Sequence, residues 1–114
     1  LAIIDLNNSA NKIFYNNHYA FLFNGEIYNS KILKKKYLKN HKFETETDTE
    51  VLFQLLIKFG TKIIKELEGM FAFTFIDKLN DKMILCRDYT GIKPLYYFHN
   101  SNGFFFLFGG MVFI

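Results

Sequence analysis

Phe23-Asn24-Gly25-Glu26-Ile27-Tyr28-Asn29 admits two readings, and the fold turns on which one holds. As local chemistry, Asn-Gly between hydrophobic runs is the strongest short signal for a two-residue hairpin, because both residues accept positive φ. As site chemistry, the same residues set a side-chain amide, a glycine N–H and a carboxylate side by side. Those are the groups needed to hold an oxyanion next to an ammonium. A second acidic segment, Thr47-Asp48-Thr49-Glu50, follows downstream. Thr47 with Glu50 three residues on matches a capping box. That frame sets Asp48 in the first helical turn, where the macrodipole favours a carboxylate.

Outward from these segments, the hydrophobic pattern is that of an α+β chain. Leu1 to Leu6 is a nearly continuous apolar run of strand length. Ile13 to Tyr15 and His18 to Phe23 form a predicted strand pair around Asn16-Asn17. Ser30 is the expected cap of a helix reaching about Lys39, with Ile32, Leu33 and Tyr37 on its apolar side and Lys31, Lys34, Lys35 and Lys36 on its solvated face. From Thr47, Val51, Leu52, Leu55, Leu56 and Phe59 follow one helical stripe, and Gly60 fits the stop. Lys62 to Glu68 reads as a shorter helix. A hairpin follows, with Phe71, Phe73 and Phe75 on one face and Ala72, Thr74 and Ile76 on the other. Lys78 to Asp81 turns the chain and Met83 to Arg87 returns. Tyr96 to Phe98 and Phe104 to Phe108 complete the pattern. Strands, then helices, then strands predict antiparallel sheet with helices grouped outside it.

Composition narrows the function classes. A chain of 114 residues, half of them hydrophobic and 19% aromatic, has the material for one packed domain. The net charge is only +3, and Arg87 is the sole arginine among 14 basic residues. Bidentate recognition of phosphates and bases favours Arg, so nucleic acid is not an expected partner. The single cysteine, Cys86, excludes an internal disulfide framework and points to a reducing compartment such as the cytoplasm. The apolar run Phe104 to Ile114 is too short for a membrane span, so no membrane partner is expected.

LAIIDL, FNGEIYN, HKFETETDTEVL, LEGMFAFTFID and CRDYTGIKPLYY occur in that order. The set resembles the class II glutamine amidotransferase domain of glutamine-hydrolysing asparagine synthetases. The resemblance implies an α+β fold with the four-layer αββα sandwich of N-terminal-nucleophile hydrolases, spanning residues 1–108 and incomplete, with 109–114 as an atypical tail. It favours the oxyanion reading over the hairpin, with Asn24 Nδ2 and the Gly25 N–H as the donors. It implies Asp48 as the group that binds the α-ammonium of glutamine, with Glu26 as its partner, and Leu1, Ala2, Ile3 and Ile4 lining the pocket through their backbone. It further implies an N-terminal cysteine nucleophile absent from this chain, and a substrate-carboxylate Arg immediately before Leu1. The chain taken alone is therefore expected to be inactive. No cofactor or metal is expected in this chain. ATP and Mg²⁺ belong to the expected synthetase domain of the full-length protein, which would amidate an aspartate-type acceptor and could assemble as a homodimer.

The remaining candidates have plainer readings. Arg87-Asp88 and Gly91-Ile92-Lys93-Pro94 read as a strand end and a turn with a Pro-fixed exit. Cys86 sits mid-strand, where a buried thiol behaves as a small hydrophobe. His18, His41 and His99 lack metal-ligand spacing. The alternative to the enzyme reading is a non-catalytic amidotransferase-like binding module.

Overall fold

The computed structural model describes residues 3–5, 11–88, 96–100, 103–108 and 111–113, with side chains described for 13–88. The elements are β1 (Ile3–Asp5), β2 (Asn11–Tyr15), β3 (Tyr19–Ile27), α1 (Ser30–Tyr37), α2 (Asp48–Phe59), a 3-10 helix (Gly60–Glu66), β4 (Gly69–Asp77), β5 (Lys82–Arg87), β6 (Tyr96–Asn100), β7 (Gly103–Phe108) and β8 (Met111–Phe113). They make two four-stranded sheets, ordered β1-β8-β7-β6 and β2-β3-β4-β5, antiparallel throughout. The α+β class follows directly. Met111–Phe113, within the 109–114 segment read from the sequence as an atypical tail, pairs with both Ile3–Asp5 and Phe106–Phe108.

One face of the second sheet carries the helices. Phe21 and Phe23 from β3 and Phe71, Phe73 and Phe75 from β4 pack against Val51, Leu52, Phe53, Leu55 and Leu56 of α2. Phe53 lies off the stripe read from the sequence, yet it is the aromatic centre of this layer. Its ring meets Phe14 at 5.3 Å, Phe21 at 5.6 Å, and Tyr19 and Phe75 at 6.2 Å, within the range of favourable stacked and edge contacts. The opposite face of the sheet, carrying Ala20, Leu22, Asn24, Ala72 and Thr74, is buried as well. A sheet covered on both sides is what the interior of a layered sandwich requires.

Three local expectations are corrected. Ser30 is the first helical residue and Asn29 occupies the cap, without a side-chain capping bond. The Asn29 amide is committed elsewhere: Nδ2 donates to the Glu66 carbonyl at 2.8 Å, and Oδ1 accepts the Glu68 N–H at 3.0 Å. Ile32 is 67% exposed rather than on the apolar side of α1, which is anchored by Leu33. An eight-residue helix makes little over two turns, so one deep anchor suffices and the adjacent position faces out. The predicted 62–68 helix is the 3-10 helix Gly60–Glu66.

Candidate active site on strand β3

Asn24-Gly25 is not a turn. It lies inside β3, which runs unbroken from Tyr19 to Ile27 and pairs with β4 along its whole length, Asn24 opposite Ala72 and Gly25 opposite Phe71. The hairpin actually made by β2 and β3 uses Asn16, whose Oδ1 accepts the N–H groups of His18 and Tyr19 at 2.8 Å each. Gly25 has φ +129°, and a Cβ built there would overlap the Met70 carbonyl oxygen and stand 2.7 Å from Phe71 Cα. Across the ladder, a Cβ on Gly69 would overlap the Glu26 carbonyl oxygen. Two glycines thus let β3 and β4 approach more closely than side chains permit.

Where the Gly25 N–H points can be read from the ladder. Phe71 sends its N–H to Asp88 Oδ1 at 3.1 Å and receives the Asp88 N–H on its carbonyl at 2.9 Å. Both of its backbone groups therefore face β5, and Gly25 with Phe71 is a non-hydrogen-bonded pair. The Gly25 N–H consequently points away from β4, toward the β2 side. There the register ends at Asn11 opposite Asn24, so no described residue of β2 stands opposite Gly25. Two residues on, Ile27 faces the same way, and its N–H donates to Asp48 Oδ2 at 2.7 Å. One edge of β3 thus presents the Gly25 N–H and, about 7 Å further along at strand rise, the carboxylate of Asp48.

The elements that hold this edge are themselves pinned. Thr47 caps α2 with extended backbone, φ −88° and ψ 150°, and its Oγ1 accepts the Glu50 N–H at 3.3 Å. This is the predicted half of the capping box. The other half differs: the Glu50 carboxylate accepts the N–H groups of Glu44 at 2.9 Å and Thr45 at 2.6 Å, and the Thr45 hydroxyl at 2.7 Å. Glu50 is only 2% exposed. Burial alone would raise its carboxyl pKa, but the donors from Glu44 and Thr45 outweigh burial and hold it below the ordinary value of 4.5. Tyr28 N–H to the Glu68 carbonyl and the two Asn29 bonds secure the other end of the motif. A buried Glu at the third helical position was the available signal for the Glu50 role, while Asn29 offered no local one.

Each sequence candidate can now be located. Asn24 is 4% exposed, and the enclosed atom of its carboxamide is Oδ1, which has no hydrogen-bond partner. Glu26 is exposed at the end of the same strand. Asp48 is half-buried and forms one wall of a cleft of about 830 Å³ that also takes in Lys31, Lys34, Lys35 and Lys39 of the α1 region. Asn24 and Gly25 are not among the walls of that lysine-lined cleft, so what joins them to Asp48 is the β3 edge and not this cavity. Ile3 and Ile4 lie in β1 opposite Phe113 and Val112. Leu1, Ala2 and the segment Gly91-Ile92-Lys93-Pro94 fall outside the described residues. Asp88, 7% exposed, closes the β4–β5 ladder through Phe71, in line with the structural reading. Cys86 is half-buried, and desolvation, with the Asp88 charge adding to it, pushes its thiol up to about 11. Such a thiol is protonated at neutral pH and is a poor nucleophile. Among the described residues no group of three His, Cys, Asp or Glu side chains could hold a metal ion, and no helix is long and apolar enough to cross a membrane.

Two antiparallel sheets with helices on one face of one of them make an α+β fold, and the Gly25 N–H and the Asp48 carboxylate lie along one side of its strand β3. The chain belongs to the glutamine amidotransferase domain family, whose profile it matches over residues 1–111. It is similar to asparagine synthetase [glutamine-hydrolyzing] 2 of Arabidopsis thaliana, 46% identical over 98 residues, covering 84% of this chain and 17% of that protein. It is 36% identical over 105 residues to asparagine synthetase B [glutamine-hydrolyzing] of Escherichia coli K12, covering 90% of this chain and 19% of that protein. The fold is shared with the glutamine phosphoribosylpyrophosphate amidotransferase of B. subtilis, solved with ADP and GMP, at a TM-score of 0.63 and 23% identity, over 97% of this chain and 23% of that one. The chain thus spans less than a fifth of the length of the two asparagine synthetases.

Proposed function

We propose that this chain is the glutamine-binding part of a glutamine-hydrolysing asparagine synthetase, in which Asn24 and Gly25 stabilise the tetrahedral oxygen and Asp48 holds the α-ammonium of glutamine. The carrying observation is the shared edge of β3, where the Gly25 N–H and the Asp48 carboxylate project to one side, about 7 Å apart along the strand. Glutamine spans roughly 5 Å from its side-chain carbonyl to its ammonium nitrogen. A ligand of that length reaches both groups with ordinary hydrogen bonds. One Asp48 oxygen is engaged by Ile27, which fixes the carboxylate and leaves the other oxygen for the ammonium. With Asn24 Oδ1 turned inward, Nδ2 is the amide atom left for a ligand.

The chemistry follows from these positions. A nucleophile attacking the glutamine carboxamide places negative charge on its oxygen, and two preorganised donors meet that charge as it forms. Cys86 does not suit the nucleophile's role: it lies within β5, half-buried, desolvation pushes its thiol up, and it carries no free amine to act as base. The nucleophile in this reading is the N-terminal cysteine of the family, whose own amine acts as base. Glu26 completes the ammonium pocket, and the backbone of residues 1–4 borders it. The ammonia released serves a synthetase domain of the full-length protein, which uses ATP and Mg²⁺. A cytoplasmic setting and homodimeric assembly belong to the same reading.

The test is glutaminase kinetics on the full-length protein. Asn24→Ala is expected to lower kcat about 10²–10³-fold, while Asp48→Asn raises the KM for glutamine. Wild-type kcat in Asn24→Ala refutes the oxyanion assignment.

A further inference from the structure

Among the described residues three buried side-chain oxygens have no hydrogen-bond partner, and two of them share one face of one sheet: Asn24 Oδ1 on β3 and Thr74 Oγ1 on β4. The register sets Asn24 opposite Ala72 and Leu22 opposite Thr74, so Asn24 and Thr74 are diagonal neighbours with both side chains on the face turned away from the helices. Diagonal neighbours lie about 7–8 Å apart at Cα, within reach of polar side chains that share one intermediary. Around them Ala20, Leu22 and Ala72 are buried and apolar. Thr74 is wholly buried, so its hydroxyl has no bulk water to turn to. An unmet buried polar group carries a large desolvation cost, and two such groups side by side are resolved together by one shared partner.

The geometry points to Thr74 as a positioning residue for Asn24, its hydroxyl linked through one enclosed water to Asn24 Oδ1. The chemistry gives the link a direction. A water that donates to Oδ1 fixes which end of the carboxamide is the oxygen, a choice that hydrogen-bonding surroundings decide in any Asn. With Oδ1 held inward, Nδ2 is kept on the ligand side, where the proposed oxyanion donor is needed. Thr74 touches neither substrate nor reacting atoms and acts only through Asn24. The inference rests on the oxyanion reading of Asn24 given above.

The experiment is a double-mutant cycle on the full-length protein with glutamine as substrate. Thr74→Val keeps the shape and removes the hydroxyl, and Thr74→Ser keeps the hydroxyl. Thr74→Val is expected to lower kcat roughly three- to tenfold, the worth of one neutral hydrogen bond, with the KM for glutamine and the melting temperature little changed. Thr74→Ser is expected to restore kcat. In an Asn24→Ala background, Thr74→Val is expected to have no further effect. Unchanged kcat in Thr74→Val, or the same loss in both backgrounds, overturns the positioning role while leaving the glutaminase reading intact. If Asn24→Ala itself keeps wild-type kcat, the oxyanion reading falls and this inference falls with it.

Discussion

At the scale of single residues, two carboxylates two positions apart have different duties. Asp48 ties α2 to the β3 edge through Oδ2, while Glu50 turns back and spends both oxygens on the loop at Glu44 and Thr45. The Glu50 carboxyl is depressed in the folded chain, so its contribution to stability is present above the unfolded pKa near 4.5 and is lost as pH falls through the folded value. Thermal melts from pH 7 down to pH 3 are expected to show a steeper acid loss for the wild type than for Glu50→Gln, which cannot titrate. Equal acid limbs in the two proteins would show that the loop bonds hold no pH-linked stability. Thr-x-x-Glu announced this cap in the sequence. That the carboxylate reaches loop amides in place of the Thr47 N–H depends on how residues 44–46 fold back, which no local spacing encodes.

At the scale of elements, the pairing of β3 with β4 decides how the Asn-Gly motif behaves. Alone, Asn24-Gly25 carries a turn signal. In the chain it is pulled straight by nine register pairs with Gly69–Asp77. The glycine is needed for its missing Cβ, since β4 backbone occupies that space. Gly25→Ala is expected to destabilise the domain by more than about 1–3 kcal/mol, the usual cost of a strained backbone position, because overlap with β4 adds to the strain. Urea titration checks this, and a loss below about 0.5 kcal/mol would mean that the strands separate easily here. The helix stripe of α2 was legible because its period is local. The inward turn of Phe53 was not, since the aromatic face of the sheet beneath α2 accepts a wider face than one stripe. Exposure of Ile32 was not legible for the related reason that a short helix needs only Leu33 to be anchored.

At the scale of the whole molecule, the fold class was readable from element order, and the candidate site from the order of its motifs. What the sequence withheld was which groups share an edge, because that follows from register between β3 and β4 and not from spacing along either. In the sheet ordered β2-β3-β4-β5, the inner strands have a ladder on both sides. Native-state hydrogen exchange is expected to show slowest exchange in β3 and β4 and faster exchange in β2 and β5. Comparable protection across all four strands would contradict this order. The Ile27–Asp48 bond also bears on how the domain comes together. Its partners are only 21 residues apart, so drawing them into contact costs about 3 kcal/mol in chain-length-dependent closure entropy. The start of α2 is thereby tied to the end of β3 by one short stretch of polypeptide, and that tie can form before the chain beyond α2 has left the ribosome.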